Sequence, residues 1–185
     1  MFPSNESAQP PQNWFDAFHK LSLALEQQPA GKKVLFFDEL PWLDTQQSGF
    51  VAALEYFWNA WSGYAFEYLC RYHIQNIKKA LGISGVYTKI SAWRSQKSEK
   101  GVQIDLVIDR KDHVINICEM KFSAEPYAIT KAYSENLQHK LWTFKEETAT
   151  KKTLFLTLIT AHGLKTNEYS TRLVHDALDL DVLFT

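Results

Sequence analysis

Gly101-Val102-Gln103-Ile104-Asp105-Leu106-Val107-Ile108-Asp109 turns through Arg110-Lys111-Asp112-His113 and returns as Val114-Ile115-Asn116-Ile117-Cys118-Glu119-Met120-Lys121-Phe122. Two runs rich in β-branched and apolar residues, joined by a short polar turn, predict an antiparallel hairpin. Side chains alternate faces along a strand. Val102, Ile104, Leu106 and Ile108 are therefore expected on one face of the first strand, with Gln103 and Asp105 on the other. In the second strand Glu119 and Lys121 share a face with Ile115 and Ile117. A carboxylate from one strand and a carboxylate plus an ammonium from its partner thus converge on one side of a sheet. An ionised group among such apolar neighbours is costly unless it is paired or bound to a metal. Two readings follow: a structural Asp–Lys or Glu–Lys pair, or a cation site.

Val86 to Trp93 is a third strand-like segment preceding the hairpin. The polar run Arg94 to Gly101 between them reads as a solvated hairpin tip; as a phosphate-contacting arm it would add only salt-dependent, non-specific affinity. Before it, Phe66, Leu69, Cys70, His73, Ile74, Ile77 and Leu81 trace one helical face ending at Gly82. After it, Tyr133, Leu137, Leu141 and Phe144 mark a helix and Leu154 to Ile159 a solid apolar strand. A last helix is expected around Tyr169 to Leu178, before the apolar end Val182-Leu183-Phe184. From residue 63 the order is helix, three strands, helix, strand, an α/β pattern.

The first 62 residues read differently. A tail over 1–13, rich in Pro, Ser, Asn and Gln, is expected to be flexible. Trp14, Phe18, Leu21 and Leu25 recur at helical spacing, stopped by Pro29-Ala30-Gly31. Lys33-Val34-Leu35-Phe36-Phe37, ending in Asp38-Glu39, has the continuous apolar character of a buried parallel strand. Phe50, Leu54, Phe57, Trp58 and Trp61 mark a further helix, with a break at Ser62-Gly63. The boundaries are thus 1–13, 14–62 and 63–185.

Composition limits the alternatives. Apolar residues make up 45% of 185 residues, a composition that favours a packed core over wholesale disorder. No apolar run approaches the roughly 18 residues that span a bilayer, and the first residues lack the pattern of a secretory signal; a cytoplasmic protein without membrane contact is the expectation. Cys70 and Cys118 sit in apolar sequence and read as reduced packing residues. Six histidines lack metal-ligand spacing. Residues 1–62 carry three basic and seven acidic side chains, a net −4, whereas 63–185 carry 17 and 14, a net +3. A weakly basic second part is compatible with a phosphate-bearing substrate.

The pieces Gly101-x-Gln103-Ile104-Asp105 and Glu119-Met120-Lys121, in a helix–strand–strand–strand–helix–strand order, resemble the signature of the PD-(D/E)XK nuclease superfamily. The resemblance implies a restriction-endonuclease-like mixed sheet flanked by helices, acting on DNA with Mg2+ or Mn2+. It implies catalytic roles for Asp105, Glu119 and Lys121. Asp105 and Glu119 would ligate the ion and Glu67, in Gly63-Tyr64-Ala65-Phe66-Glu67, would support it. Lys121 would position the attacking water or offset developing charge, and Gln103 would touch substrate or orient a ligand. Hard carboxylate oxygens suit magnesium, which in turn suits phosphodiester hydrolysis. Lys131, Tyr133, His139 and Lys140 of the following helix are not part of the implied site.

Val34-Leu35-Phe36-Phe37-Asp38-Glu39 resembles a Walker B strand. With Leu40-Pro41-Trp42-Leu43-Asp44, Ser48-Gly49-Phe50 and Phe57-Trp58-Asn59, it is similar to prokaryotic AAA-type ATPases that carry a C-terminal PD-(D/E)XK-like module. That likeness implies a truncated member with a small helix–strand–helix ATPase remnant and vestigial Asp38 and Glu39. The phosphate-cradling Gly-x-x-x-x-Gly-Lys-[Ser/Thr] loop is absent, since Gly31-Lys32-Lys33 precedes a strand and no hydroxyl residue follows it. ATP binding is accordingly expected to be weak or absent. Two alternatives to a nuclease stand beside it: a non-catalytic module that binds nucleic acid or a partner, and an ATP-binding subunit completed in trans by a protein that supplies the missing ATPase parts.

Overall fold

Val114–Lys121, buried along nearly its whole length, is the middle strand of a five-stranded sheet in the computed structural model, which describes residues 9–28, 35–37, 43, 45, 48–96 and 101–185. In chain order the elements are α1 (Trp14–Glu26), α2 (Phe50–Tyr72), α3 (Ile74–Ala80), β1 (Thr88–Arg94), β2 (Gln103–Arg110), β3 (Val114–Lys121), α4 (Lys131–Thr148), β4 (Thr153–Thr160), α5 (Glu168–Leu173), β5 (Asp176–Leu178) and a closing 3-10 turn, Leu180–Phe184. The chain forms two compact units, Met1–Ser62 and Gly63–Thr185. No helix among the described residues is long and apolar enough to cross a membrane.

The second unit is α/β, a mixed sheet flanked by helices. Its strands lie in the order β1-β2-β3-β4-β5, the first three antiparallel and the last two joining in parallel. β2 and β3 form the expected hairpin, its three-residue loop closed by His113 in the left-handed region (φ 65°). Because β3 and β4 run parallel, they need a long crossover, and α4 provides it. One face of the sheet buries Leu106, Ile108, Cys118, Met120 and Ile159 against Phe66, Cys70, Ile77 and Leu183. The other buries Val107, Ile115, Ile117, Leu156 and Leu158 against Leu137 and Phe144 of α4.

The face assignment in β2 needs a correction. Ser91 pairs with Val107 but Trp93 with Ile104, so β2 carries one extra residue between them, a β-bulge. Ile104 is consequently turned into the α4-side cluster with Val107, while Leu106 and Ile108 stay on the opposite face. Strict alternation puts all three on one side; a bulge resets it by one residue.

Helix boundaries also differ from expectation. α2 runs unbroken from Phe50 to Tyr72 through Gly63, because a lone glycine weakens a helix by only about 1 kcal/mol. The interruption comes instead at His73 (φ −95°, ψ 29°). α3 then ends in a Schellman arrangement: the N–H groups of Gly82 and Ile83 donate to the carbonyls of Lys79 and Lys78, with Gly82 at φ +68°. At the other end, the helix expected over 169–178 stops at Leu173. Val174 is extended and the His175 N–H donates to the Leu156 carbonyl, starting the parallel strand β5. Leu183 then anchors the C-terminal turn in the core.

In the first unit Phe18, Phe50, Ala53 and Phe57 form a small buried cluster, Phe18 and Phe57 stacking at 5.0 Å. Asn13 caps α1 by accepting from the Asp16 N–H. The strand expected through Leu35-Phe36-Phe37 is not formed there: these residues lack regular pairing, with Leu35 and Phe37 packed on the cluster and Phe36 exposed. A parallel strand needs a neighbour to bond to, and no strand among the described residues of this unit offers one. Asp38 and Glu39 lie outside the described residues, as do Pro29 to Lys33 and the loop residues 97–100.

Cys70 and Cys118 are both free and fully buried. Burial pushes the Cys70 thiol up to about 12, and moves Cys118 upward as well. Thiolate is the reactive form, so neither should react at pH 8 in the folded chain. Labelling with a disulfide reagent should register no fast thiol in native protein and two in 6 M guanidinium; prompt labelling of the native chain would contradict this packing.

Candidate active site

The chemistry-bearing residues gather where β2 and β3 part company. Their pairing ends at Leu106–Cys118, so the Met120 N–H has no backbone acceptor from β2. Asp105, at the bulge, takes that role: its Oδ2 accepts from Met120 N at 3.2 Å. The bulge thus does two things. It opens the hairpin and turns the Asp105 carboxylate across the gap onto β3.

Glu119 is the most deeply buried charged side chain among the described residues of the unit. It lies on the α4 side of β3, as alternation from Ile115 and Ile117 requires. Lys140 of α4 donates to both of its oxygens, at 2.8 Å to Oε1 and 2.7 Å to Oε2. The Tyr133 hydroxyl donates to Oε2 at 3.3 Å. Tyr127 packs edge-on to Tyr133, their rings 5.8 Å apart. Lys121, from the end of β3, places its ammonium 5.1 Å from the Tyr133 ring centre. Thr160 stands opposite Lys121 in the register of β4 and is buried, its hydroxyl without a hydrogen-bond partner.

From α2, Glu67 reaches the same neighbourhood. It pairs with Arg71 at 3.8 Å, and Arg71 also donates to the Asp105 carbonyl at 3.0 Å. Burial, then the charge of Asp105, raise the Glu67 carboxyl above the ordinary range, with Arg71 opposing. Burial also raises Glu119; Lys140 pulls it back and Asp105 adds to the rise. Burial and the Glu119 charge together push the Tyr133 phenol upward, so it stays a donor. Three carboxylates that sense one another's charge, with two ammonium groups beside them, make up the cluster.

Asp105, Glu119, Lys121 and Glu67 are therefore neighbours. Gln103 stands apart, exposed, its Oε1 accepting from Arg94 at 2.7 Å across the β1–β2 pair. Lys140 and Tyr133 belong with the cluster although composition marks neither out. Their signal is positional: Tyr133, Leu137, Lys140 and Phe144 fall at i, i+4, i+7 and i+11, one stripe of α4, and Leu137 and Phe144 are buried. A lysine within an apolar helical stripe must find a carboxylate.

By donor type, the carboxylates of Asp105, Glu119 and Glu67 suit a hard divalent cation. Their arrangement is that of a charge pair: among the described residues no three His, Cys, Asp or Glu side chains stand so as to hold a metal ion. In comparison with known proteins, no family model matches the chain, and no curated protein or solved structure is significantly similar to it.

Removing one partner of a buried pair strands the other's charge. Lys140→Met should lower the unfolding free energy by about 3 kcal/mol, whereas Glu119→Gln/Lys140→Met should recover most of that loss. Urea denaturation of wild type, both single variants and the double variant measures the coupling; strictly additive effects would show that the two groups are not a pair.

Proposed function

We propose that the second unit is a restriction-endonuclease-like domain that hydrolyses phosphodiester bonds, with DNA as the substrate and Mg2+ or Mn2+ as cofactor. One observation carries this proposal. Where β2 and β3 part, Asp105 accepts from the N–H of Met120, the residue after Glu119, Arg71 joins Glu67 to the Asp105 carbonyl, and Lys121 lies over the Tyr133 ring whose hydroxyl bonds Glu119. Like charges are brought together against their repulsion only where something positive compensates. The element order helix–strand–strand–strand–helix–strand and the Asp…Glu-x-Lys spacing support the same proposal.

In this scheme Asp105 and Glu119 would hold the cation, and Glu67 would support it directly or through water. When bound, the ion supplies charge to offset the phosphate and makes a bound water more acidic. The chain's own residues do the rest. Lys121 orients the attacking water or stabilises charge developing on phosphate oxygen. Tyr133, kept protonated, holds Glu119 in place through its hydroxyl. The bulge fixes Asp105 by the Met120 N–H, so the first carboxylate does not wander. The net +3 of this part of the chain aids approach of a polyanion. The first unit fits an ATPase remnant by sequence resemblance alone.

A second reading has its own observation. Both oxygens of Glu119 are already occupied by Lys140, as a structural pair in a non-catalytic nucleic-acid- or partner-binding module would have it. Cation dependence separates the two. Supercoiled plasmid should be nicked in Mg2+ or Mn2+ by the wild-type chain, and nicking should fall at least about a hundredfold in Asp105→Asn and Lys121→Ala. The amide oxygen of Asn can still accept from Met120, so the fold survives the first change. Undiminished cleavage in either variant would remove that residue from the mechanism; no nicking in any condition would favour the binding module.

A further inference from the structure

We infer that the solvent face of α2 beside the candidate site is a stacking platform for the unpaired bases of a single-stranded nucleic acid. The inference rests on the phosphodiester reading proposed above and names the form of the substrate.

Two stripes of α2 are rich in rings and apolar groups, and only one of them is explained by folding. Phe66 and Cys70, four residues apart, are buried in the core. Tyr68 and Tyr72, also four apart, stand two positions on from these, about 200° further round the helix. They are 67% and 74% exposed, so their rings add little to the packing of the sheet. The outer face of a helix is ordinarily charged or polar. Tyr72 meets His73 edge-on with 5.2 Å between ring centres, and His73 meets Phe184 at 5.3 Å. Phe184 is itself 64% exposed, although its neighbour Leu183 is fully buried and Asn76 donates to the Leu183 carbonyl at 3.0 Å. The rings are therefore set on a regular helix and a pinned turn. A surface ordered in advance gives up little entropy when a flat ligand settles on it.

Spacing and charge choose the occupant. Tyrosines four residues apart are separated by about 6 Å along a helix axis, whereas successive bases of a duplex strand are about 3.4 Å apart. The wider interval suits bases drawn out of their stack, each with a face free for a ring. Sequence-tolerant single-strand sites join such rings to a basic track. Arg71 lies between the two tyrosines, its side chain 46% exposed, and Lys78 and Lys79 follow on α3. From Gly63 to Gly82 these three bases face one acid, Glu67, which is paired with Arg71. The acids of the closing turn, Asp179 and Asp181, put the phosphates on the Arg71 side of the rings. The exposed residues from Gly63 to Tyr72 are Tyr64, Ala65, Tyr68, Arg71 and Tyr72, so no large aliphatic side chain is offered to the groove of a protein partner. Arg71 also ties this face to the site, because it donates to the Asp105 carbonyl at 3.0 Å. A strand whose bases rest on Tyr68 and Tyr72 carries its backbone past Arg71 toward the parting of β2 and β3.

Fluorescence anisotropy of a labelled oligothymidylate with the full chain in EDTA, where binding is read without cleavage, tests this. Wild type should bind the strand saturably and more tightly than a blunt duplex of the same length. Tyr68→Leu and Tyr72→Leu should each weaken single-strand binding about tenfold, with urea midpoints equal to that of wild type. Tyr72→Phe, which keeps the ring, should bind like wild type. Equal affinity in wild type and both leucine variants, tighter binding of the duplex, or no binding of the strand by wild type would each overturn the platform. So would a leucine variant that alters sedimentation of the chain but not its affinity for the strand, the mark of a second copy on this face. Ring-dependent binding by a chain that nicks no plasmid would support the platform and count against the hydrolysis proposed above. Nicking without any single-strand binding would overturn the platform alone.

Discussion

A carboxylate buried in the middle strand of the sheet is the constraint around which the second unit is organised. Glu119 stands in β3 between neighbours that are almost all apolar, with no solvent contact. Charge in such a place is untenable alone. α4 therefore does more than cover the sheet: the stripe that buries Leu137 and Phe144 also brings Tyr133 and Lys140 onto Glu119. β2 peels away at the same level, and its bulge sends Asp105 to satisfy the backbone that β3 would otherwise leave bare. Crossover helix, bulge and splayed hairpin all meet at this carboxylate.

Replacing an ion pair with apolar residues of similar size is often neutral or stabilising, so stability alone is a weak reason to keep Glu119 and Lys140. The acidic neighbours Glu67 and Asp105 add to the negative charge around the pair, so the proposed site is the group as a whole and not Glu119 alone.

Much of this was legible in the sequence. The hairpin over 102–122, the helix around Tyr133 to Phe144 and the strand Leu154 to Ile159 all follow from apolar periodicity, and β2, β3, α4 and β4 are where it puts them. Glu119 and Lys121 fall on the α4 side because β3 alternates without interruption. Local pattern failed where non-local bonds decide. The bulge that turns Ile104 around is fixed by pairing with β1, which periodicity along β2 does not contain. β5 forms because β4 presents a free edge, and that outweighs the helical spacing of 169–178. Gly63 reads as a break by composition, yet the helical bonds on either side of it carry α2 through. Lys140 was visible only as a charge within an apolar stripe, and exposed helical lysines are so common that the stripe, not the residue type, held the information. The strand expected at Leu35–Phe37 lacked a partner to pair with, and the acidic residues after it fall outside the described chain.

The most direct measurement is a crystal structure of the wild-type chain soaked in Mn2+, with anomalous scattering used to locate the ion. An anomalous peak shared by the carboxylates of Asp105 and Glu119 is the result this account predicts. Manganese bound elsewhere or not at all would contradict it and leave Glu119 and Lys140 as a structural pair.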